Sequence, residues 1–427
     1  MSTSHKLSLW SAIFINVNIM LGTGVFVNTV ILAQKVGALG GFLYLMAGLI
    51  MLPLIYAIAQ LTQAYPGGNF YTFGTLINPF FGFISIWIYF IGKLATATLA
   101  THVFTLFLQS IIPSLGLFSP FLIDTFLIIF FTLLNLLHVK TGSFIQNMFL
   151  LAKLTPVLGV ISYGLHYAQL LHIQAPHLIW SGIPVALPLT LFCCLGFEAS
   201  CSLATHIQNP EKNASRAILI SFGIVITLAF LYQTLFYATT GPSLAMQTNY
   251  TQAFPLFMSI VQSNLQTHIA PLMSLAIALS ALGAAYGILY ANAWNLYTLA
   301  QHRLLPYSSF FIQLNRYQMA FACIITEGII CLAHLFFTKG AQIPLQYTST
   351  LACLLSYTIS VIGLFKIKKS LVSILGLLSC TIALYTCIQG FFFTSIDPFI
   401  RIISIIIMGI VIFWYTTRNI ENNFTAI

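Results

Sequence analysis

Apolar residues fill this chain in long blocks, each closed by a short cluster of Pro, Gly, Asn or charge. A helix needs about 20 apolar residues to cross ~30 Å of hydrocarbon. Cutting at the clusters predicts twelve spans: 9–33, 40–62, 79–111, 120–138, 144–166, 183–205, 215–239, 268–300, 318–338, 344–365, 370–391 and 398–417. The third and eighth are the longest and are expected to tilt.

The positive charges test this partition, because Lys and Arg accumulate in cytoplasmic loops. Alternate loops, counted from the N-terminus, place Lys6, Lys140, Lys212, Arg216, Arg303, Arg316, Lys366, Lys368, Lys369 and Arg418 on one side. The other side holds Lys35, Lys339 and Arg401. A wrong span count would scramble so strong a bias. Both termini are therefore expected in the cytoplasm, with the chain in the cytoplasmic (inner) membrane. Lys93 and Lys153 are left inside spans.

Composition agrees. Hydrophobic residues make up 59% of the chain and charged residues 5%, with a mean hydropathy of +0.97. A soluble domain carries about 25% charged residues, so this chain is expected to be an all-α polytopic membrane protein. Its net charge of +9 is spread over short loops and makes no stripe for nucleic acid. The first apolar run lacks a small-residue cleavage pattern and reads as a mature span. All eight cysteines lie in or beside apolar segments, as buried hydrophobes do, and no cofactor or metal is expected. Three loop histidines, His166, His172 and His177, fit no ligand spacing.

Two spans carry an oddity. The first contains "NIMLGTGVFV", with Gly22, Thr23 and Gly24 at its centre; the sixth contains "LFCCLGFEAS", with Gly196 at mid-span and Glu198 two residues on. One glycine in a membrane helix usually marks close packing. Two at corresponding positions five spans apart, one beside a charge, point to a transporter built from two inverted five-helix repeats. The repeats would occupy 9–166 and 183–365, with 370–417 as two accessory helices, in one domain covering 1–427. An unwound segment frees N–H groups at one half-helix end and C=O groups at the other. The N–H end binds a carboxylate, and the C=O end can hold an ammonium. A zwitterionic amino-acid backbone fits both.

These motifs resemble the amino acid–polyamine–organocation superfamily, and within it the bacterial arginine/agmatine antiporter type. Gly22-Thr23-Gly24-Val25-Phe26 is similar to its first-helix signature, "YPGGNFYTF" (Tyr65 to Phe73) to its segment after the second helix, and "LGFEAS…QNPEKNASRAI" to its sixth helix and following loop. Together they cover about the first 220 residues. The resemblance implies a LeuT-type 5+5 inverted repeat with unwound first and sixth helices. It places the substrate carboxylate at Thr23 and Gly24 and the amine at carbonyls near Met20, Phe192 and Leu195. Phe192 takes the place of an aromatic gate, with Phe197 beside it, and Glu198 that of a gating glutamate. Lys153, in "FLLAKLTPVLGV", matches a fifth-helix lysine that stands where sodium-coupled relatives bind sodium.

Departures from the pattern bear on the substrate. Thr205-His206 replace the usual acidic residue before the Asn-Pro loop, Ile288 stands where a stacking tryptophan is expected, and Lys93 stands where the antiporters have a neutral group. A free cation there disfavours arginine. Lys93 has two readings, a substrate contact or an ion pair with Glu198. Lys153 has two as well, a coupling site or a lysine reaching the interface. Glu327 and Asp124 read as packing or helix-end charges.

The function expected is secondary transport of amino acids, neutral ones, by proton symport. Exchange against a second amino acid or amine is the alternative, and a non-transporting sensor is a third reading. No paired acids, zinc motif or phosphate loop speaks for an enzyme or ATP drive. The expected partners are an amino acid, protons or a counter-substrate, and the bilayer. The sequence leaves open whether the chain forms a homodimer.

Overall fold

The computed structural model describes residues 7–137, 142–173, 177–199, 201, 207–261 and 266–425. The protein is helical throughout these residues, with two isolated β-bridges and no sheet among them. The first expected span is two helices, α1 (Leu9–Met20) and α2 (Thr23–Val36), set at 41° to each other. Next come α3 (Gly40–Ala64), the short α4 (Phe70–Thr75), α5 (Pro79–Ile111), α6 (Pro120–Asn135) and α7 (Gly142–Tyr167). After α8 (Ile183–Phe192), the chain continues through α9 (Pro210–Thr240), α10 (Ala253–Val261), α11 (Gln266–Gln301) and α12 (Ser308–Phe311). Then follow α13 (Phe321–Thr338), α14 (Gln342–Ile367), α15 (Leu371–Phe393) and α16 (Asp397–Thr425).

Among the described residues, eight helices are long and apolar enough to cross a membrane, and α1 with α2 make a ninth as one bent span. Each of the twelve expected spans has a helix at its position. The fourth and sixth are shorter than expected: α6 has 16 residues and α8 has 10. The sixth breaks after Phe192, halfway through the expected 183–205, and turns through residues 193–198 before helical geometry returns at Ala199. Thr205 and His206 lie outside the described residues.

The sequence punctuates these helices in ordinary ways. Pro79 and Pro120 occupy first turns, where a missing N–H costs nothing. The Asn78 side chain accepts from the Phe81 amide at 3.0 Å. Gly37 and Gly241 end α2 and α9 at φ +58° and +59°, a left-handed turn that glycine adopts freely. Helix α5 has 33 residues, about 50 Å at 1.5 Å per residue, so it must cross the bilayer at a tilt.

Helix α5 is the centre of the molecule. In its apolar window 83% of residues are buried, against 22% in α16, which leaves α16 facing lipid. Helices α4, α11, α13 and α14 pack around α5, while α3 packs with α9 and α15. Small residues set the closest approaches. A Cβ at Gly92 of α5 would collide with the Ala352 Cβ of α14.

The first and sixth spans run antiparallel and are tied at both ends. At one end Leu7 bridges Ile207, with the Gln208 amide on the Leu7 carbonyl at 2.9 Å. At the other, Gly37 bridges Leu178, and the Ala38 amide donates to the His177 carbonyl at 2.9 Å. Their midpoints are thereby brought level.

Candidate functional site

At that level both helices are interrupted. Leu21 leaves the helical region, Gly22 is extended, and α2 restarts at Thr23 with no side chain capping its first amides. In the sixth span α8 ends at Phe192 and the chain turns through Cys193 to Glu198. Gly196 takes φ +114°, a conformation that side chains resist.

The two interruptions touch. A Cβ on Gly24 would lie 2.9 Å from Phe192 Cδ1 and 2.7 Å from Cys193 Sγ. A Cβ on Gly196 would lie 3.0 Å from Ile19 Cγ2 and 3.2 Å from Met20 Cα. Met20, Thr23, Gly24, Phe192, Leu195, Gly196 and Phe197 are therefore gathered in one buried place. Ile288 is half-buried on α11, and none of the described polar or ring contacts joins it to the interruptions.

Gly196→Ala should cost about 1–3 kcal/mol from backbone strain alone, with the contact to Met20 added. Thermal unfolding in detergent reads it; an unchanged midpoint would mean the turn relaxes freely. Gly24→Ala tests the other contact, and Gly24→Leu would drive the two spans apart and not merely fill a binding space.

Glu198 holds the second interruption together. Its Oε1 accepts from Lys93 Nζ at 2.7 Å and Tyr89 Oη at 2.8 Å. Its Oε2 accepts from the Gly196 amide at 2.7 Å and Tyr357 Oη at 2.8 Å. Two oxygens with four donors are fully used. Glu198 is 3% exposed and Lys93 6%, so the pair is bought with desolvation and needs all these bonds to be tolerated. The structure thus places Lys93 in an ion pair, and the sequence-based picture of a free cation facing the substrate gives way to a charge-balanced one.

Sequence reasoning missed Tyr89 and Tyr357. Tyr89 lies one turn before Lys93 on α5, which was a legible signal; Tyr357 comes from α14 and was not. Their rings, with Phe70 and Phe197, enclose the carboxylate. Phe70 lies 4.5 Å from Tyr89 and 5.4 Å from Tyr357, and Phe197 lies 5.2 Å from Tyr357.

Lys153 serves the first interruption. Its Nζ donates to the Asn18 carbonyl at 2.5 Å, and the residue is 1% exposed. Where α1 stops, the carbonyls of its last turn lose their helical partners, and the dipole places negative charge there. An ammonium from α7 fits that end in both respects. On the α2 side of the interruption, Asn28 Nδ2 donates to the Leu189 carbonyl at 2.8 Å, and Gln342 Nε2 donates to Asn28 Oδ1 at 3.0 Å. These bonds tie α2 to α8 and α14.

Two broken spans meeting in the core of a many-helix bundle define an integral, multi-pass membrane protein. The chain belongs to the amino acid permease family, which it matches over residues 7–426, and so to the amino acid–polyamine–organocation superfamily. The match runs well beyond the first 220 residues that carry the motifs.

Among its relatives, an uncharacterized protein of Methanocaldococcus jannaschii is 26% identical over 240 residues, 52% of this chain and 53% of that one. The serine/threonine exchanger SteT of Bacillus subtilis is 24% identical over 315 residues, 71% of this chain and 70% of SteT. The amino-acid permease RocE of Bacillus subtilis is 25% identical over 354 residues, 77% of this chain and 72% of RocE. The chain thus spans about half the length of the archaeal relative and about seven tenths of the other two.

Proposed function

We propose that the protein is a secondary transporter of neutral amino acids in the cytoplasmic membrane, with both termini in the cytoplasm, built on two inverted repeats (9–166 and 183–365) and two accessory helices. The observation that carries the reading is the contact between the two interruptions, Gly24 on Phe192 and Cys193, Gly196 on Ile19 and Met20. The substrate carboxylate meets the uncapped amides of Thr23 and Gly24, and its ammonium meets the carbonyls at Met20, Phe192 and Leu195. Phe192 and Phe197 close over it. Irregular backbone at this depth is tolerated where it lines protein or a cavity, so an interruption needs a use.

The driving ion in this reading is a proton on Lys153. Its bond to the Asn18 carbonyl joins α7 to α1 at the point where α1 must move. A proton that binds the two transport states unequally is sufficient for coupling. Exchange is the second reading, favoured by the likeness to the serine/threonine exchanger SteT.

The test is uptake of radiolabelled amino acids into proteoliposomes, with and without an inward proton gradient and with internal counter-substrate. Symport predicts accumulation driven by the gradient alone; dependence on internal amino acid establishes exchange. With Glu198 and Lys93 neutralising each other, the described residues of the pocket offer no free carboxylate for a guanidinium. Arginine should therefore compete poorly, and arginine outcompeting leucine and glutamate would overturn the assignment to neutral substrates.

A further inference from the structure

Glu327 is a carboxyl group that the site above leaves unused. It lies on α13, is completely buried, and neither of its oxygens accepts a hydrogen bond from any described protein group. The other two buried acids among the described residues are both paired, Glu198 with Lys93 and Asp124 with His102 at 2.6 Å. An ionised carboxylate in that position would be buried with neither charge nor hydrogen bonds to offset it. A carboxylic acid would not.

Among the described residues the surroundings hold no cation free to pair with it. Helix α13 packs against α5, α6, α11, α12 and α14. On α5, Lys93 is bound to Glu198 and His102 to Asp124 of α6. On α13 itself, Cys331 Sγ donates to the Leu94 carbonyl, Cys323 Sγ to the Phe311 carbonyl of α12, and His334 Nε2 lies 3.2 Å from the Ile91 carbonyl. Arg401 of α16, near His334, donates to the Phe337 carbonyl at 3.4 Å. From α14, Tyr357 is bound to Glu198 and Tyr347 to the Val185 carbonyl, while Lys366 donates to the Ile77 carbonyl. From α11 the polar neighbour is Asn292, which lies beside Glu327 but outside bonding geometry; the titratable residues of α11 are Tyr286, Tyr290, Tyr297 and, in its first turn, His268.

Asn292 supplies a connection. Its Nδ2 donates to the Phe90 carbonyl at 2.9 Å, and its Oδ1 accepts from Asn295 at 2.9 Å. Phe90 follows Tyr89, whose hydroxyl holds Glu198 and through it the Gly196 turn. We propose that Glu327 is a second proton site: a carboxylic acid, protonated in this conformation, whose loss of the proton draws the Asn292 amide from Phe90 to Glu327. The O–H bond breaks, the proton passes to bulk water, and the new carboxylate accepts from Asn292 Nδ2. The segment of α5 that bears Tyr89 and Lys93 then loses one anchor, which alters the sixth span. The second half of this inference rests on the transport reading; the first does not.

Infrared spectroscopy of the full-length protein in lipid tests the first half. The chain has only six acidic residues, and of the described ones Glu211 and Asp397 are exposed. At neutral pH the wild type should show the carbonyl stretch of a protonated carboxylic acid, shifted in D2O and absent from Glu327→Gln. Should that variant fail to fold, Glu327→Asp must move the band. No acid band at neutral pH would overturn the site, and loss of the band on adding sodium or potassium would make it a metal-cation site instead. For the second half, amino acid exchange is compared at neutral and alkaline pH. The alkaline-to-neutral rate ratio should fall in the wild type and stay near one in Glu327→Gln; equal ratios would overturn the link to α5. If the wild type exchanges no amino acid, the transport reading fails while the infrared result still decides the proton.

Discussion

Glu198→Gln should destabilise the protein by about 3–5 kcal/mol, the usual loss when one partner of a buried ion pair is removed. The amide cannot accept from Lys93, Tyr89, Tyr357 and the Gly196 amide together, and it leaves the Lys93 ammonium buried without a counter-charge. Lys93→Met should be about as costly, for the mirror-image reason. The double variant should be far less damaged than the sum, because neither charge is then stranded. Tyr357→Phe removes one bond to a charged acceptor and should cost about 1.5–3 kcal/mol. Thermal unfolding of the four variants in detergent gives the cycle. Additive losses would mean that Lys93 and Glu198 do not depend on each other, and the account of the second interruption would fail with them.

Lys153→Ala should bind substrate and lose the acceleration of uptake by an inward proton gradient. Without the ammonium, the last turn of α1 has no cation on the Asn18 carbonyl, and the bond by which α7 would report protonation to the first span is gone. Exchange needs no net proton movement and should survive. Uptake at two external pH values, with and without internal amino acid, separates these outcomes. Wild-type accumulation under a pH gradient in this variant would move the coupling proton to another group, with Glu198 and Glu327 next to be examined.

Much of the fold was legible because lipid imposes one rule on every helix: about 20 apolar residues, ended by Pro, Gly, Asn or charge. Pro79, Pro120, Pro210 and Gly241 fall at or next to helix ends, as the pattern predicts. The interruptions were legible too, since Gly22, Gly24 and Gly196 stand where glycine has least reason to be. What was not legible depends on which faces of distant helices meet. Tyr357 reaches Glu198 from α14, and Asn28 reaches Leu189 across 161 positions; no local pattern encodes either. Lys93 had two readings because span position alone cannot tell which way a long side chain points. The break in the sixth span was expected at Gly196, which does turn there, but α8 ends four residues earlier, at Phe192, a point that no residue type in the Phe192 to Leu195 run marks. Asp124, read as a packing or helix-end charge, is paired with His102 on α5.

The central claim is that the substrate backbone lies where the two interruptions meet, and a structure of the protein with a carried amino acid bound tests it most directly. The account predicts its carboxylate on the amides of Thr23 and Gly24 and its ammonium on the carbonyls of Met20, Phe192 or Leu195. A substrate seated elsewhere, for instance in the cavity of about 580 Å³ beside Arg303, Pro306 and Tyr307 at the end of α11, with the glycine contacts undisturbed, would contradict it.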